Sequence, residues 1–213
     1  MSDGPALETR LSERLETCGI HPAATALSQL VAYLKLLARW NARINLTALP
    51  MDPPSDGALD RLILEPAVAA REIAVSVKSH VDLGSGGGSP ALPLQILRPD
   101  LKTTLVEATA KKAAFLGEAV RILELKNVSV KAARFEDLAA ETAEPYADLV
   151  TTRAVRADTA LFDAAGKLLV PSGQLWIFDS GRSASNRAFH FVRSVSLAQD
   201  AELQIFERTT GSN

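Results

Sequence analysis

A glycine-rich loop between an apolar strand and a helix is the feature that most restricts how this chain can fold. The segment from Val81 to Pro90 reads Val-Asp-Leu-Gly-Ser-Gly-Gly-Gly-Ser-Pro. Glycine allows positive φ and a close approach of the backbone to a ligand, and the following helix offers unpaired N–H groups to a carboxylate or phosphate. The sequence therefore predicts a strand, loop and helix unit that binds a small anionic or zwitterionic ligand.

The spacing of the glycines distinguishes the cofactor classes that use such a loop. The dinucleotide fingerprint G-x-G-x-x-G, read from Gly84 and Gly86, requires glycine where Ser89 stands. A P-loop requires Gly-Lys-Ser/Thr, which does not follow. Asp82, two residues before Gly84, has the spacing typical of S-adenosylmethionine (SAM) methyltransferases. Glu107 ends the next predicted strand, where its carboxylate can accept from both hydroxyls of a ribose in either class.

From residue 80 onward, short apolar runs alternate with helical patterns, which predicts βα units and a mostly parallel sheet with helices on both faces. We expect an α/β fold in one compact unit, with a helical N-terminal extension over residues 1–75 and a Rossmann-like core over residues 76–213. The last two strands have a short connection and are expected to form an antiparallel edge pair. The seven predicted strands are His80–Leu83, Thr103–Val106, Val128–Lys131, Ala147–Thr151, Gln174–Phe178, Phe189–Val195 and Leu203–Glu207. The predicted helices are Leu7–Thr17, a segment after Pro22, Leu59–Val75, Pro90–Leu97, Lys111–Leu123 and Thr159–Leu169.

Composition excludes several function classes. The 23 basic and 25 acidic residues give a formal net charge of −2, so any RNA binding must come from a local patch. Cys18 is the single cysteine, and with three scattered histidines it predicts neither a disulfide nor a metal site. The N-terminal residues Met1–Pro5 lack a signal-peptide pattern, and no apolar run is long enough to cross a bilayer. We expect a soluble, cytoplasmic protein, and nothing in the sequence demands more than a monomer.

Short motifs spread in order along most of the chain carry a family resemblance. They are Trp40-Asn41, Asn45-Leu46-Thr47, Asp82 to Gly88, Pro90, Pro93-Leu94, Arg98-Pro99, Lys111-Lys112, Phe115-Leu116, Leu125 to Val128, Arg134-Phe135-Glu136 and Thr152-Arg153-Ala154. Together they resemble the bacterial small-subunit (16S) ribosomal RNA guanine-N7 methyltransferases, the RsmG or GidB family. The resemblance implies a class I SAM-dependent methyltransferase whose substrate is 16S rRNA of the small ribosomal subunit.

The same resemblance implies where SAM is held. The positions carried over by motif are Gly84 and Ser89 in the loop, Phe135 and Glu136 after the third strand, and Arg153 after the fourth strand. The forked guanidinium of Arg153 fits a SAM carboxylate or an RNA phosphate, whereas the simpler alternative is a salt bridge to Asp148 or Asp158. With the acidic and loop residues argued above, the predicted cofactor-binding residues are Asp82, Gly84, Gly86, Ser89, Glu107, Phe135, Glu136 and Arg153.

The chemistry of guanine N7 requires few catalytic groups. N7 carries an in-plane lone pair, so its methylation removes no proton and needs no general base, and positioning supplies most of the acceleration. Methylation at pyrimidine C5 usually needs a cysteine nucleophile, and the only thiol lies in the N-terminal extension. Methylation of exocyclic amines usually shows an Asn/Asp-Pro-Pro-aromatic motif where this chain has Thr151 to Ala154. No catalytic acid or base is therefore predicted, and Arg153 is a candidate for a positioning role.

Departures from the family pattern cluster on the expected substrate side. Arg61 to Pro66 reads Arg-Leu-Ile-Leu-Glu-Pro where the family usually has Arg-His-x-x-Asp-Ser, so Leu62, Glu65 and Pro66 differ. Ser89 replaces a bulky apolar residue, and Ser180 stands near the fifth strand where the family usually carries lysine. Two alternatives follow. One is a catalytically silent or retargeted SAM-binding or ribosome-associated module, and the other is a small-molecule methyltransferase with Leu62–Leu64 lining its pocket.

Overall fold

A seven-stranded sheet organises the chain, which confirms the predicted α/β class. The computed structural model describes residues 4–178, 186–198 and 201–209. Its strands are Ser79–Leu83 (β1), Lys102–Val106 (β2), Val128–Lys131 (β3), Ala147–Arg153 (β4), Leu169–Phe178 (β5), Phe189–Ser196 (β6) and Glu202–Arg208 (β7). Their order across the sheet is β3-β2-β1-β4-β5-β7-β6.

The order of the strands reverses between β1 and β4, and this places the glycine loop at a crevice. β1 pairs in parallel with β2 on one side and with β4 on the other, so Asp82 lies opposite both Leu105 and Thr151. In open parallel sheets, ligands bind beyond the carboxyl ends of the strands at such a reversal. β7 runs antiparallel to both β5 and β6, which confirms the antiparallel pair and leaves β6 at the edge.

Eight α-helices are described, of which two were not predicted. They are Gly4–Thr17 (α1), Ala24–Asn41 (α2), Asp56–Leu59 (α3), Glu65–Ala70 (α4), Ala91–Leu97 (α5), Ala110–Ile122 (α6), Phe135–Glu141 (α7) and Thr159–Leu168 (α8). The prediction missed α7 and all of α3 but Leu59, because one or two turns of helix give too short a periodic pattern to separate from a loop.

The single helix predicted over Leu59–Val75 is wrong in its continuity. The segment is α3, then a π-helical turn over Asp60–Leu64, then α4, which ends at Ala70. Pro66 explains the interruption, because it has no N–H to donate to the carbonyl of Leu62 four residues earlier. Single π-helical turns within α-helices are found frequently at functional sites.

Helices cover both faces of the sheet. On one face α1 and α2 pack with α5 and α6, and their apolar side chains form one buried cluster that includes Leu15, Leu34 and Phe115. On the other face α8 packs on the sheet through Leu161 and Phe162. The N-terminal extension thus shares a hydrophobic core with α5, the helix that follows the glycine loop. The division of the chain at residue 75 stays a prediction. No helix within the described ranges is long and apolar enough to cross a membrane.

Candidate functional site

Steric crowding explains why the loop after β1 is built from glycine. Gly84 and Gly88 both have positive φ, at 74° and 88°. A Cβ on Gly84 would lie 2.5 Å from Cγ2 of Val155, and one on Gly88 would lie 2.4 Å from Cδ1 of Leu92. Both distances are far below van der Waals contact, so the backbone can pass between β4 and α5 only without side chains. The loop is therefore a closely fitted cradle.

Two buried side chains tie the loop down. Tyr33, on α2, is fully buried and donates from Oη to the carbonyl of Gly87 at 2.7 Å. Burial raises the pKa of Tyr33, so the hydroxyl keeps its proton. Glu107 accepts the N–H of Gly86 at 2.9 Å and the N–H of Thr109 at 2.7 Å. Sequence reasoning identified Glu107 but missed Tyr33, whose signal is a hydroxyl within the leucine-rich face of α2.

Two cavities meet at Gly84 and Glu107, on the carboxyl side of the sheet. The smaller, of about 260 Å³, lies between the ends of β2 and β3 and the start of α7. The larger, of about 450 Å³, lies between the loop, the end of β4 and the segment after α2. Phe135 and Glu136 line the smaller cavity, and Gly86, Ser89 and Arg153 line the larger. The structure thus brings seven of the eight predicted residues to one crevice.

The eighth predicted residue, Asp82, lies beneath the loop and is only 1% exposed. Its Oδ1 lies 2.5 Å from Thr151 Oγ1, within hydrogen-bond distance. Burial raises the pKa of Asp82 to about 6, against the opposing effects of its hydrogen bonds. Asp82 therefore does not line either cavity, and a ligand could contact it only if the loop above it moved. Its effect on the cavities is through the loop that it supports.

Arg153 is held by groups that the sequence did not indicate. Its Nη2 donates to Glu65 Oε2 at 2.7 Å, and both side chains are less than 10% exposed. The guanidinium also lies over the ring of Phe178, 4.8 Å from its centroid. The alternative of a salt bridge to Asp148 or Asp158 is wrong. Asp148 binds the amino end of β1 through Lys78 and Ser79, and Asp158 caps α8.

The π-helical turn supplies two further contacts at this place. Because the turn breaks the regular helical bonding, the carbonyl of Leu62 accepts from Ser89 Oγ at 2.9 Å, and the carbonyl of Arg61 accepts from Arg153 Nη1. Arg153 Nη1 also lies 3.3 Å from Ser89 Oγ. The departures at Pro66 and Ser89 are thus structurally coupled, since one interrupts the helix and the other binds a carbonyl that the interruption releases.

Residues 62–64, in the segment that departs from the family pattern, lie partly in the wall of the larger cavity and partly in the hydrophobic core. Leu62 lines the larger cavity, whereas Ile63 and Leu64 are buried in the helical core. The proposed apolar pocket wall from Leu62 to Leu64 is therefore wrong for two of its three residues. Lys112, which belongs to one of the motifs that carry the family resemblance, also lines the cavity. Ser180 lies outside the described residues.

Comparison with known proteins agrees with this architecture. The model of a family described as rRNA small subunit methyltransferase G (GidB) matches residues 26–208. The chain belongs to this family. It is 40% identical over 174 residues to the ribosomal RNA small subunit methyltransferase G of Xanthomonas axonopodis pv. citri (strain 306), which covers 80% of this chain and 76% of that one. Over 179 residues it is 38% identical to the protein of the same name from Sorangium cellulosum (strain So ce56), covering 83% and 74%.

Solved structures agree on the fold of this GidB family member. A SAM dependent methyltransferase from Aquifex aeolicus superposes with a TM-score of 0.55 at 14% identity, covering 73% of this chain and 94% of that one. The class I methyltransferase fold inferred from the motifs is confirmed. The GidB match begins inside α2 and includes Tyr33, both cavities and the π-helical turn.

Proposed function

We propose that this chain transfers a methyl group from SAM to N7 of a guanine in the 16S rRNA of the small ribosomal subunit. The observation that carries the proposal is the pair of cavities joined at Gly84 and Glu107, in a member of the GidB family. The smaller cavity suits the adenosine part, with Glu107 beside the ribose hydroxyls and Phe135 beside the base. The larger one has room for the methionine part and the target base.

The residues present fit SAM on steric and electrostatic grounds. Gly84 lines both cavities, and because it carries no side chain, a ligand can approach the loop backbone closely there. When bound, SAM supplies an electrophilic methyl group on a sulfonium. Glu107 is buried, and its two backbone hydrogen bonds leave further lone pairs on the carboxyl oxygens for ribose hydroxyls.

Arg153 positions the site in this proposal and does not directly bind the carboxylate of SAM. Its guanidinium joins Glu65, Ser89 and the carbonyl of Arg61, and so it fixes the π-helical turn against the glycine loop. N7 of guanine needs no base to remove a proton, so holding the acceptor in line with the methyl group is the main task of the protein. A rigid wall on the acceptor side of the cavity serves that task.

Two cations at the larger cavity support an RNA substrate. Arg61 and Lys112 both line it, and neither is fully buried. A phosphate backbone is attracted to such a local patch even when the whole chain carries a charge of −2. The target guanine must be unpaired or turned out of its helix to enter the larger cavity.

Transfer of labelled methyl from SAM tests the proposal. The acceptors are small ribosomal subunits and naked 16S rRNA, both from cells that lack guanine-N7 methylation in this rRNA, and the modified base is then mapped. We expect label on N7 of one guanine, and loss of that label in Glu107→Ala. Bound SAM with no label on RNA would overturn the activity in favour of a silent module, and label on metabolites alone would favour a small-molecule enzyme.

A further inference from the structure

A row of five buried polar side chains lies beneath the glycine loop, in the middle of the sheet. β1 contributes His80 and Asp82, β2 contributes Thr103, β4 contributes Thr151, and α5 contributes Gln95. None of the five is more than 2% exposed. A buried polar group without a hydrogen-bond partner is unfavourable, so each hydrogen among these five side chains needs an acceptor.

The five side chains form one continuous path from Asp82 to a backbone carbonyl. Each consecutive pair lies within hydrogen-bond distance. In order, the distances are 2.5 Å from Asp82 Oδ1 to Thr151 Oγ1, 2.8 Å from Thr151 Oγ1 to His80 Nε2, 3.1 Å from His80 Nδ1 to Thr103 Oγ1, 2.5 Å from Thr103 Oγ1 to Gln95 Oε1, and 3.2 Å from Gln95 Nε2 to the carbonyl oxygen of Leu101.

The carbonyl of Leu101 fixes the direction of the first hydrogen bonds. A carbonyl only accepts, so the amide nitrogen of Gln95 faces it and the amide oxygen faces Thr103. Thr103 must therefore donate its single hydroxyl hydrogen to Gln95. Its oxygen then accepts from His80, which requires a proton on Nδ1 of the imidazole.

The other half of the path holds one further proton. Thr151 has a single hydroxyl hydrogen and two neighbours. If it donates to His80 Nε2, Asp82 must be protonated to donate to Thr151. If it donates to an ionised Asp82, His80 must carry a second proton, on Nε2. Both arrangements place one ionisable proton on Asp82 and His80 together, and without it two acceptors would face each other in a buried contact.

We propose that Asp82 and His80 share one proton at the base of the glycine loop, and that His80 is the residue that positions the Asp82 carboxyl through Thr151. The pair then has no net charge, although it lies close to a second buried acid, Glu107. The shared proton is independent of ligand, whereas its effect on SAM rests on the proposed function.

The groups around the pair favour the arrangement with the proton on Asp82. Burial raises the pKa of Asp82 to about 6 and lowers the pKa of His80 to about 3. The charged groups that act on Asp82 are Arg153 at the end of β4, which favours its ionised form, and Glu107 after β2, which opposes it. Tyr33 on α2 is a further titratable group near the carboxyl and is neutral.

Nuclear magnetic resonance of the unmodified chain tests the shared proton directly. Imidazole ¹⁵N shifts report which ring nitrogen of His80 is protonated, and the ¹³Cγ shift reports the state of Asp82, with Asp82→Asn providing its assignment. The exposed His21 and His190 serve as references. At about pH 5 we expect His80 to carry a proton on Nδ1, with either Asp82 protonated or both ring nitrogens protonated. A neutral His80 with its proton on Nε2, or a neutral ring beside an ionised Asp82, would overturn the proposal.

Two matched variants test the positioning role. His80→Gln keeps a polar atom near Nε2, within reach of Thr151, whereas His80→Asn keeps one near Nδ1, within reach of Thr103. We expect SAM affinity to stay within about threefold in His80→Gln and to fall about tenfold in His80→Asn, since a factor of ten corresponds to about 1.4 kcal/mol, the scale of one hydrogen bond. Equal losses in the two variants would contradict transmission through Thr151. Failure of the unmodified chain to bind SAM would reject the proposed function and leave the resonance result standing.

Discussion

Glu107 Oε2 accepts the backbone N–H of Gly86 at 2.9 Å, while Oε1 of the same carboxylate accepts the N–H of Thr109 at 2.7 Å. One side chain therefore joins the loop after β1 to the start of α6. Glu107 is only 7% exposed, so these two donors replace hydrogen bonds that water would otherwise supply. In the proposed enzyme, Glu107 holds the shape of the loop and also faces the ribose.

Replacing Glu107 separates these two tasks. Glu107→Gln retains one oxygen acceptor, whereas Glu107→Ala retains none. We expect SAM affinity to fall about tenfold in the first and about a hundredfold in the second, because each lost hydrogen bond to a charged group is worth about 1.5–3 kcal/mol. Calorimetric titration measures both, with Glu118→Gln on the partly exposed face of α6 as the control. Affinity that is unchanged in both variants would remove Glu107 from the site.

Gly84 is expected to tolerate no side chain. In Gly84→Ala the new Cβ meets Cγ2 of Val155 at 2.5 Å, and φ is 74°. We expect the free energy of unfolding to fall by about 1–3 kcal/mol and SAM affinity to fall with it. Gly117→Ala is the matched control, since nothing lies within 4 Å of its Cβ, and alanine in a helix stabilises by about 0.5–1 kcal/mol over glycine. Denaturant unfolding of the two variants decides this, and equal stability changes would contradict the crowding argument.

Tyr33 is expected to stabilise the loop through its hydroxyl alone. Tyr33→Phe removes the 2.7 Å hydrogen bond to the carbonyl of Gly87 and leaves the packing of the ring. We expect a loss of about 1–2 kcal/mol in the free energy of unfolding, the cost of a buried hydrogen bond. Tyr146→Phe, at a residue that is 42% exposed, is expected to change it by less than about 0.5 kcal/mol. Similar losses in both variants would mean that the hydroxyl of Tyr33 contributes nothing specific.

The strands and the glycine loop could be predicted because their signals are local. The central strands are short runs rich in apolar residues, and the loop is a contiguous motif from Gly84 to Gly88. The helical segment before β1 was predicted with the wrong continuity. Its interruption depends on Pro66, which the sequence shows only as a departure from the family pattern, and on carbonyl partners at Ser89 and Arg153, which come from distant parts of the chain.

The contacts that organise the site could not be predicted for the same physical reason. Glu65 and Arg153 are 88 residues apart, and Tyr33 and Gly87 are 54 residues apart. Neither pair follows from periodicity, because periodicity reports which face of an element is buried and not which partner faces it. His80 shows the same limit: its place on β1 was predicted, but its partners lie on β2 and β4.

The pair of Arg153 and Glu65 is expected to be much more important for stability than surface pairs. Glu65→Gln leaves the guanidinium buried without its carboxylate, and breaking a buried pair costs about 3–5 kcal/mol. Arg39→Ala removes a pair with Glu118 in which the arginine is 61% exposed, and we expect less than about 1 kcal/mol there. Urea unfolding compares the two. A small effect of Glu65→Gln would mean that the other contacts of Arg153 suffice to hold the π-helical turn.

The pH dependence of stability tests the buried acid and imidazole together. The pKa of Asp82 is raised from 3.8 to about 6, so its contribution is complete below about pH 4 and is lost as pH rises through 6. The pKa of His80 is lowered from 6.5 to about 3, so its contribution is complete above about pH 6.5 and is lost as pH falls through 3. Between about pH 4 and 6 the two slopes have opposite signs and cancel.

Single substitutions are expected to expose each slope. Relative to the unmodified chain, the free energy of unfolding of His80→Phe should fall as pH rises from 4 to 6, because only the Asp82 contribution remains. In Asp82→Asn the free energy of unfolding, again relative to the unmodified chain, should rise between pH 4 and 6, because only the His80 contribution remains. Each slope is at most about 1.4 kcal/mol per pH unit for one proton. Urea unfolding at three pH values measures both, and taking the difference removes the contributions of the other carboxylates. Profiles parallel to the unmodified chain would mean that neither group changes its protonation on folding, which contradicts the arrangement with the proton on Asp82 and leaves the one with an ionised Asp82 beside a doubly protonated His80.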